Sequence, residues 1–224
     1  MGAIIGALYA CDYKYSDMLR ECDKINFFKV FDINPLALAS SHLVPGKATE
    51  KFLRKCTREK NFERLKKVKF SCIATDLKTG KEFEFTSGPI WQGVRASISI
   101  PMVFKPVELE DKLLIDGGVV NNVPASNLKK YEPDIIIACD VLSSYVYFEP
   151  KYWWDIIGLS MSLTQHINQH DKLKDYKYVI KPNTSMVTPF TPSLKSVDAL
   201  IEEGYKAAVK VLKKLNIDLE KTEK

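Results

Sequence analysis

The chain has 224 residues, of which 46% are hydrophobic and 11% aromatic, with a formal net charge of +5. That length buries a core without disulfide staples, and five cysteines without close-paired spacing exclude a disulfide scaffold or a zinc ribbon. A charge so small and diffuse excludes a dedicated nucleic-acid binder, leaving one cytoplasmic domain over residues 1–217 with reduced cysteines and a charged tail at 218–224.

The first element is the apolar run MGAIIGALYA, which reads as a helix with Gly2 and Gly6 on its packed side. Its first basic neighbour, Lys14, stands behind the run, and the run is far short of the roughly 20 residues that span a bilayer. Neither a secretory signal nor a membrane anchor is therefore expected. Ser16 and Asp17 cap a second helix bearing Met18, Leu19, Cys22 and Ile25 on one face. Residues 25–46 are apolar without a period and are broken by Pro35 and Pro45, as in a covering segment. Residues 46–67 have a basic helical rhythm with Phe52, Leu53, Cys56, Phe62 and Leu65 as the apolar side.

The period then changes. KVKFSCIATDL reads as a buried strand, KTG as a turn and KEFEFTS as the returning strand of a hairpin. IWQGVRASISI suits a helix stopped by Pro101, and FKPVELEDKLLIDGG a second hairpin around Glu110 and Asp111. PDIIIACDV is a short strand of the kind buried on both faces. Residues 152–173 form a long amphipathic helix, with Trp153 and Trp154 as core and rim, KYVIKP a strand, and residues 196–215 a closing helix. Helices alternating with buried strands predict an α/β fold with a largely parallel sheet flanked by helices.

IDGGVVNNVP places Asp116 at the end of an apolar strand, followed by Gly117 and Gly118, whose backbone freedom allows a sharp turn that presents the carboxylate. Strand ends of α/β sheets are where ligands bind. His166 and His170 lie one turn apart, but HINQH lacks the glutamate of a zinc protease, and the pair reads as an exposed helix face; no metal and no cofactor are expected. Ser97 and Ser99, beside Arg95, stand in no elbow sequence and read as scaffold, Asp76 as a turn residue, and Asn121 and Asn122 as partners of backbone groups in the loop.

MGAIIGALYA, IATDLKTGKEFEF, VRASISIPMVFKPV and IDGGVVNNVP, in this order, resemble the patatin-like acyl hydrolases, lipid-cleaving enzymes that use a serine and an aspartate. The resemblance runs from Met1 to about Asn183. It implies a patatin-like fold with Asp116 as base, Arg95 in a wall of the site, and Met1 and Gly2 as the last two residues of the Gly-x-Ser-x-Gly elbow. The serine is then expected just before Met1, with the oxyanion loop and first strands further upstream. The chain is accordingly expected to be truncated, through a misplaced start or as a remnant, and inactive as given, the alternative function being a catalytically dead lipid- or partner-binding module. The implied substrate is a lipid or fatty acyl ester. Burial of Asp116 would raise a pKa that is ordinarily near 3.9, making it a better base. The basic stretch up to Lys69, flanked by Phe27, Phe28, Phe31 and Leu36, is expected to allow peripheral contact with an anionic membrane.

Overall fold

The computed structural model describes residues 1–24, 44–142, 145, 147–185 and 197–217. The covering segment with its phenylalanines and His42, the charged tail, and the side chains of Cys22 and Trp154 lie outside the described residues. The chain divides into two compact units, Met1–Asn121 and Asn122–Lys224.

The first unit is built on a four-stranded sheet of order β2-β1-β4-β3, comprising β1 (Cys72–Asp76), β2 (Lys81–Phe85), β3 (Val107–Leu109) and β4 (Lys112–Asp116). Every pairing in it is antiparallel. Within the two hairpins, β1–β2 and β3–β4, the physical reason is connection length. The turn at 77–80 and the two residues Glu110 and Asp111 are too short for the crossover that a parallel pair requires. Central β1 is buried at all five positions, which follows from its two neighbours and the helices packed on it.

Among the described residues this unit has the helices α1 (Gly2–Ala10), α2 (Tyr15–Lys24), α3 (Lys47–Thr57) and α4 (Ile90–Ser97). α4 packs on β1, β4, α1 and α3. Ile90, Val94, Leu53, Leu114 and Cys11 fill the core between them. Asp17 stands in the first turn of α2 and accepts the Lys14 N–H at 3.1 Å, so the helix begins just before the expected cap. α3 is shorter than its rhythm predicts. Arg58 and Glu59 both adopt φ of 51°, turning the chain so that a 3₁₀ turn at Phe62–Arg64 drops Phe62 into the core.

Gly6 is on the packed side of α1, where a Cβ would lie 2.8 Å from the Phe70 ring. Gly2 is not. It is exposed with open space around it, and the side chains along that flank of α1, Met1, Ile5 and Tyr9, are exposed as well.

The second unit holds the parallel pair, β5 (Ile137–Cys139) with β6 (Tyr178–Ile180), joined through α5 (Trp153–Leu173), and the closing helix α6 (Val197–Lys214) packs on β6. Its apolar cluster is small: Ala125, Ala138 and Leu173 are buried, with Val123, Ile136, Tyr176 and Val179 packed around them. Trp153, expected in the core, is 61% exposed at the start of α5. A buried polar chain runs beside this cluster, Asn122 donating to Gln169 at 2.6 Å and Gln169 donating to Asp140. Burial raises the Asp140 pKa against those bonds. Among the described residues Cys11, Cys56, Cys72 and Cys139 form no disulfide; the first three are buried and Cys139 is exposed.

Candidate active site

β4 delivers Asp116 to the edge of the first unit's core. Its backbone is held on both sides: the Asp116 N–H donates to the Ser99 carbonyl at 3.0 Å, and the Asp116 carbonyl accepts the Thr75 hydroxyl at 2.9 Å. In the ladder Asp116 faces Ala74 of β1. A 3₁₀ turn, Gly117–Val119, follows at once, and the carboxylate caps it by accepting the Gly118 N–H at 2.7 Å. One carboxylate oxygen is thus fixed by the turn.

The need for glycine at 117 is one of space, contrary to the expectation of unusual backbone angles. A Cβ on Gly117 would lie 2.7 Å from the Ile73 carbonyl carbon and closer still to its oxygen, and among the described residues the left-handed glycines are Gly46, Gly80 and Gly88. Absence of a side chain lets the turn press against β1.

Burial raises the Asp116 pKa above the ordinary carboxylate range. The Gly118 N–H and, more weakly, the terminal ammonium of Met1 pull it down. The structure therefore brings Gly117 and Gly118 to the Asp116 carboxylate, while Met1 and Gly2 stand at the start of α1.

Arg95 does not touch the carboxylate. It lies buried beneath α4, stacked over the Phe104 ring at 4.7 Å, and donates to the Ser99 hydroxyl at 2.6 Å and to the Pro45 carbonyl at 3.2 Å. Ser99 in turn donates its hydroxyl to the Arg95 carbonyl at 2.8 Å and offers its own carbonyl to Asp116. Arg95 thus shapes the support of Asp116 through one intermediary. Ser99 is fully buried and committed to these bonds, and Ser97 is half-buried on the last turn of α4.

Asp76 organises the β1–β2 turn, accepting Thr79 Oγ1 at 2.8 Å and the Lys78 N–H at 3.2 Å, and it also accepts the Leu113 N–H at 3.3 Å, tying the turn to β4. These bonds, that of Thr79 foremost, hold its pKa below the usual carboxylate value. The side-chain amide of Asn121 donates to Glu82 at 2.9 Å and that of Asn122 to Gln169 at 2.6 Å. His166 lies against the Leu142 carbonyl at 3.4 Å, and His170 is exposed beside Asp171.

Sequence reasoning missed Thr75 and the Ser99 carbonyl, which hold Asp116 through backbone geometry that only the paired strands create. It also missed Gly46, whose left-handed backbone (φ 75°) presses against the Arg95 guanidinium.

The strand-end aspartate and its glycine turn lie within the stretch of the chain that a family model recognises. The family model for patatin-like phospholipase matches residues 1–129, and the chain belongs to that family. It is 32% identical over 151 residues to a patatin-like phospholipase domain-containing protein of Caenorhabditis elegans, covering 63% of this chain and 11% of that one. It is 36% identical over 77 residues to an NTE family protein of Mycobacterium tuberculosis, covering 34% and 21% respectively. It is 28% identical over 147 residues to the lysophospholipase NTE1 of Pyricularia oryzae, covering 66% and 9%. The chain therefore spans only a small part of the length of these relatives. The match falls mainly on the first unit, where Asp116 stands. Among the described residues, no helix is long and apolar enough to cross a membrane.

Proposed function

We propose that Asp116 is the general base of a serine–aspartate lipid acyl hydrolase, serving a serine on an elbow whose last two residues are Met1 and Gly2. The observation that carries this reading is the Asp116 carboxylate at the end of β4, capping a glycine turn by accepting the Gly118 N–H at 2.7 Å, within the stretch that matches the patatin-like phospholipase model. An elbow needs small residues after the nucleophile so that helix and strand approach closely.

In this chemistry the serine hydroxyl attacks the carbonyl carbon of a lipid or fatty acyl ester as its proton passes to Asp116. Backbone N–H donors hold the oxyanion, the alcohol leaves with the proton returned by Asp116, and an acyl-serine remains. Water then attacks the acyl carbon as its proton passes to Asp116, the acyl–serine bond breaks, and Asp116 returns the proton to the serine oxygen as the acid leaves. The raised pKa makes Asp116 a stronger base than an ordinary solvated aspartate. The scheme requires no metal or cofactor, and its substrate brings the protein to an anionic lipid surface.

The 224 residues contain no Gly-x-Ser-x-Gly. On this reading they hydrolyse neither p-nitrophenyl butyrate nor phosphatidylcholine above a buffer control. A protein extended upstream through its own reading frame to include Gly-x-Ser is expected to turn both over, and Asp116→Asn in it to lower kcat by about a hundredfold or more. Turnover by the 224 residues alone, or an extended enzyme indifferent to Asp116→Asn, would overturn the proposal.

A further inference from the structure

Between Lys47 and Lys69 the sequence carries ten Lys and Arg against three Glu, a net charge of +7 where the whole chain has +5. The rest of the chain is therefore slightly acidic, and the basic character is local. The structure sorts these cations. Arg54 is turned inward, paired with Glu50 at 2.9 Å and lying 3.6 Å over Trp91, and Lys60 is held by Asp12 at 3.0 Å.

Lys47, Lys51 and Lys55 follow at four-residue intervals on α3 with Arg58 at its end, all exposed, opposite the buried Thr49, Leu53 and Cys56. Lys55 keeps a loose contact with Glu21 at 3.7 Å, its side chain 73% exposed, and Lys47 and Lys51 enter no ion pair among the described residues. The acids of the segment are occupied elsewhere: Glu50 and Glu59 face Arg54, and Glu63 accepts the Gly88 N–H. The result is a basic ridge on which, among the described residues, Lys55 alone has an acidic partner and Arg58 lies 5.1 Å over the Tyr13 ring. The helix that meets it through Glu21 begins with Tyr15, which is 63% exposed.

We propose that the Lys47–Lys51–Lys55–Arg58 ridge is the surface by which this protein docks on an anionic lipid bilayer. The identity of the partner rests on the lipid-hydrolase reading, and the location of the contact rests on charge. A one-sided row of flexible ammonium groups on a single helix complements a flat sheet of anionic headgroups, and a neighbouring exposed tyrosine has the amphipathic ring suited to the headgroup level. A nucleic acid is the less fitting occupant, because the chain outside this segment is acidic and the ridge shows no run of stacking aromatics.

The test is co-sedimentation of the 224-residue chain with phosphatidylserine–phosphatidylcholine vesicles and with vesicles of phosphatidylcholine alone. Binding is expected only to the first and to fall with added salt. Each ridge lysine neutralised should weaken partitioning about fivefold, so Lys47→Gln, Lys51→Gln and Lys55→Gln combined should lose on the order of a hundredfold. The matched variant Lys206→Gln, Lys210→Gln, Lys213→Gln removes the same charge from exposed positions of α6 and should change it less than about fivefold. Circular dichroism checks that both variants fold. Equal losses in the two variants, equal binding to neutral vesicles, or tighter binding to a DNA duplex than to anionic vesicles would overturn the proposal. Vesicle binding needs no turnover, so a failed hydrolysis assay and a failed docking assay remain distinguishable.

Discussion

Asp116 is poised between two demands, and the sign of its effect on stability follows. Its folded pKa is raised, so ionisation is disfavoured in the native state relative to the unfolded chain. Its contribution to stability is full below the ordinary value near 3.9 and is lost as pH rises through the folded value. Asp116→Asn keeps the acceptor for Gly118 and removes the charge. Its Tm is expected to exceed that of the native chain at pH 7, with the difference closing as pH falls toward 4, measured by calorimetry across that range. A lower Tm at pH 7 would contradict the account. Beside it, Gly117→Ala drives a methyl into the Ile73 carbonyl of the central strand, and urea unfolding should show a loss of about 1–3 kcal/mol or more. The turn was legible from the aspartate and two glycines at the end of an apolar run, but an Asp-Gly turn is most often only a turn, and it was the three accompanying motifs that singled out the carboxylate. The motifs did not reveal why Gly117 must be glycine, since that depends on which strand lies behind it.

At the scale of elements, α1 gives the sharpest contrast. Gly2 stands in open space, so Gly2→Ala gains helix propensity of up to about 1 kcal/mol at no steric cost. Gly6→Ala gains the same propensity but must displace Phe70, which is stacked on Phe62 at 5.5 Å. Urea midpoints should therefore rank Gly2→Ala above both the native chain and Gly6→Ala. Both hairpins were legible because their turns are short and polar, and the 3.6-residue period of α4, α5 and α6 showed where each helix runs. The direction of the main sheet was not. Apolar strands alternating with helices suggest parallel pairing, but β1 and β4 meet antiparallel as partners of their own hairpins, and only β5 and β6, separated by α5, pair in the expected sense among the described strands. The end of α3 was hidden as well, because Arg58 and Glu59 take left-handed backbone under tertiary constraint that no glycine announces.

At the scale of the whole chain, the two units differ in how much apolar surface they close over. β1 is buried at every position within a four-stranded sheet, whereas β5 and β6 form a two-stranded pair beside three buried residues. Small sheets with thin cores open at lower cost than the global unfolding free energy. Native-state hydrogen exchange should thus find the slowest amides in β1 and β4, and amides of β5 and β6 should exchange faster under the same conditions. Comparable protection in both sheets would show that the second unit draws on stabilisation beyond the cluster around Ala138. Composition and length, from which residues 1–217 read as one domain, report the total apolar content and do not address its partition between the two compact units.

Thr75 and Asp116, which share a hydrogen bond, are 41 residues apart in sequence. Chain closure over such a separation is slow compared with the formation of a local hairpin, so the β1–β2 and β3–β4 ribbons can form before β1 and β4 find each other. The carboxylate consequently has the character of an ordinary solvated aspartate through most of refolding, and during synthesis it remains so until the second ribbon has left the ribosome and joined the first. Its raised affinity for a proton appears in the same kinetic step that completes the sheet. Proton uptake followed in a weakly buffered refolding experiment would therefore serve as a clock for sheet closure.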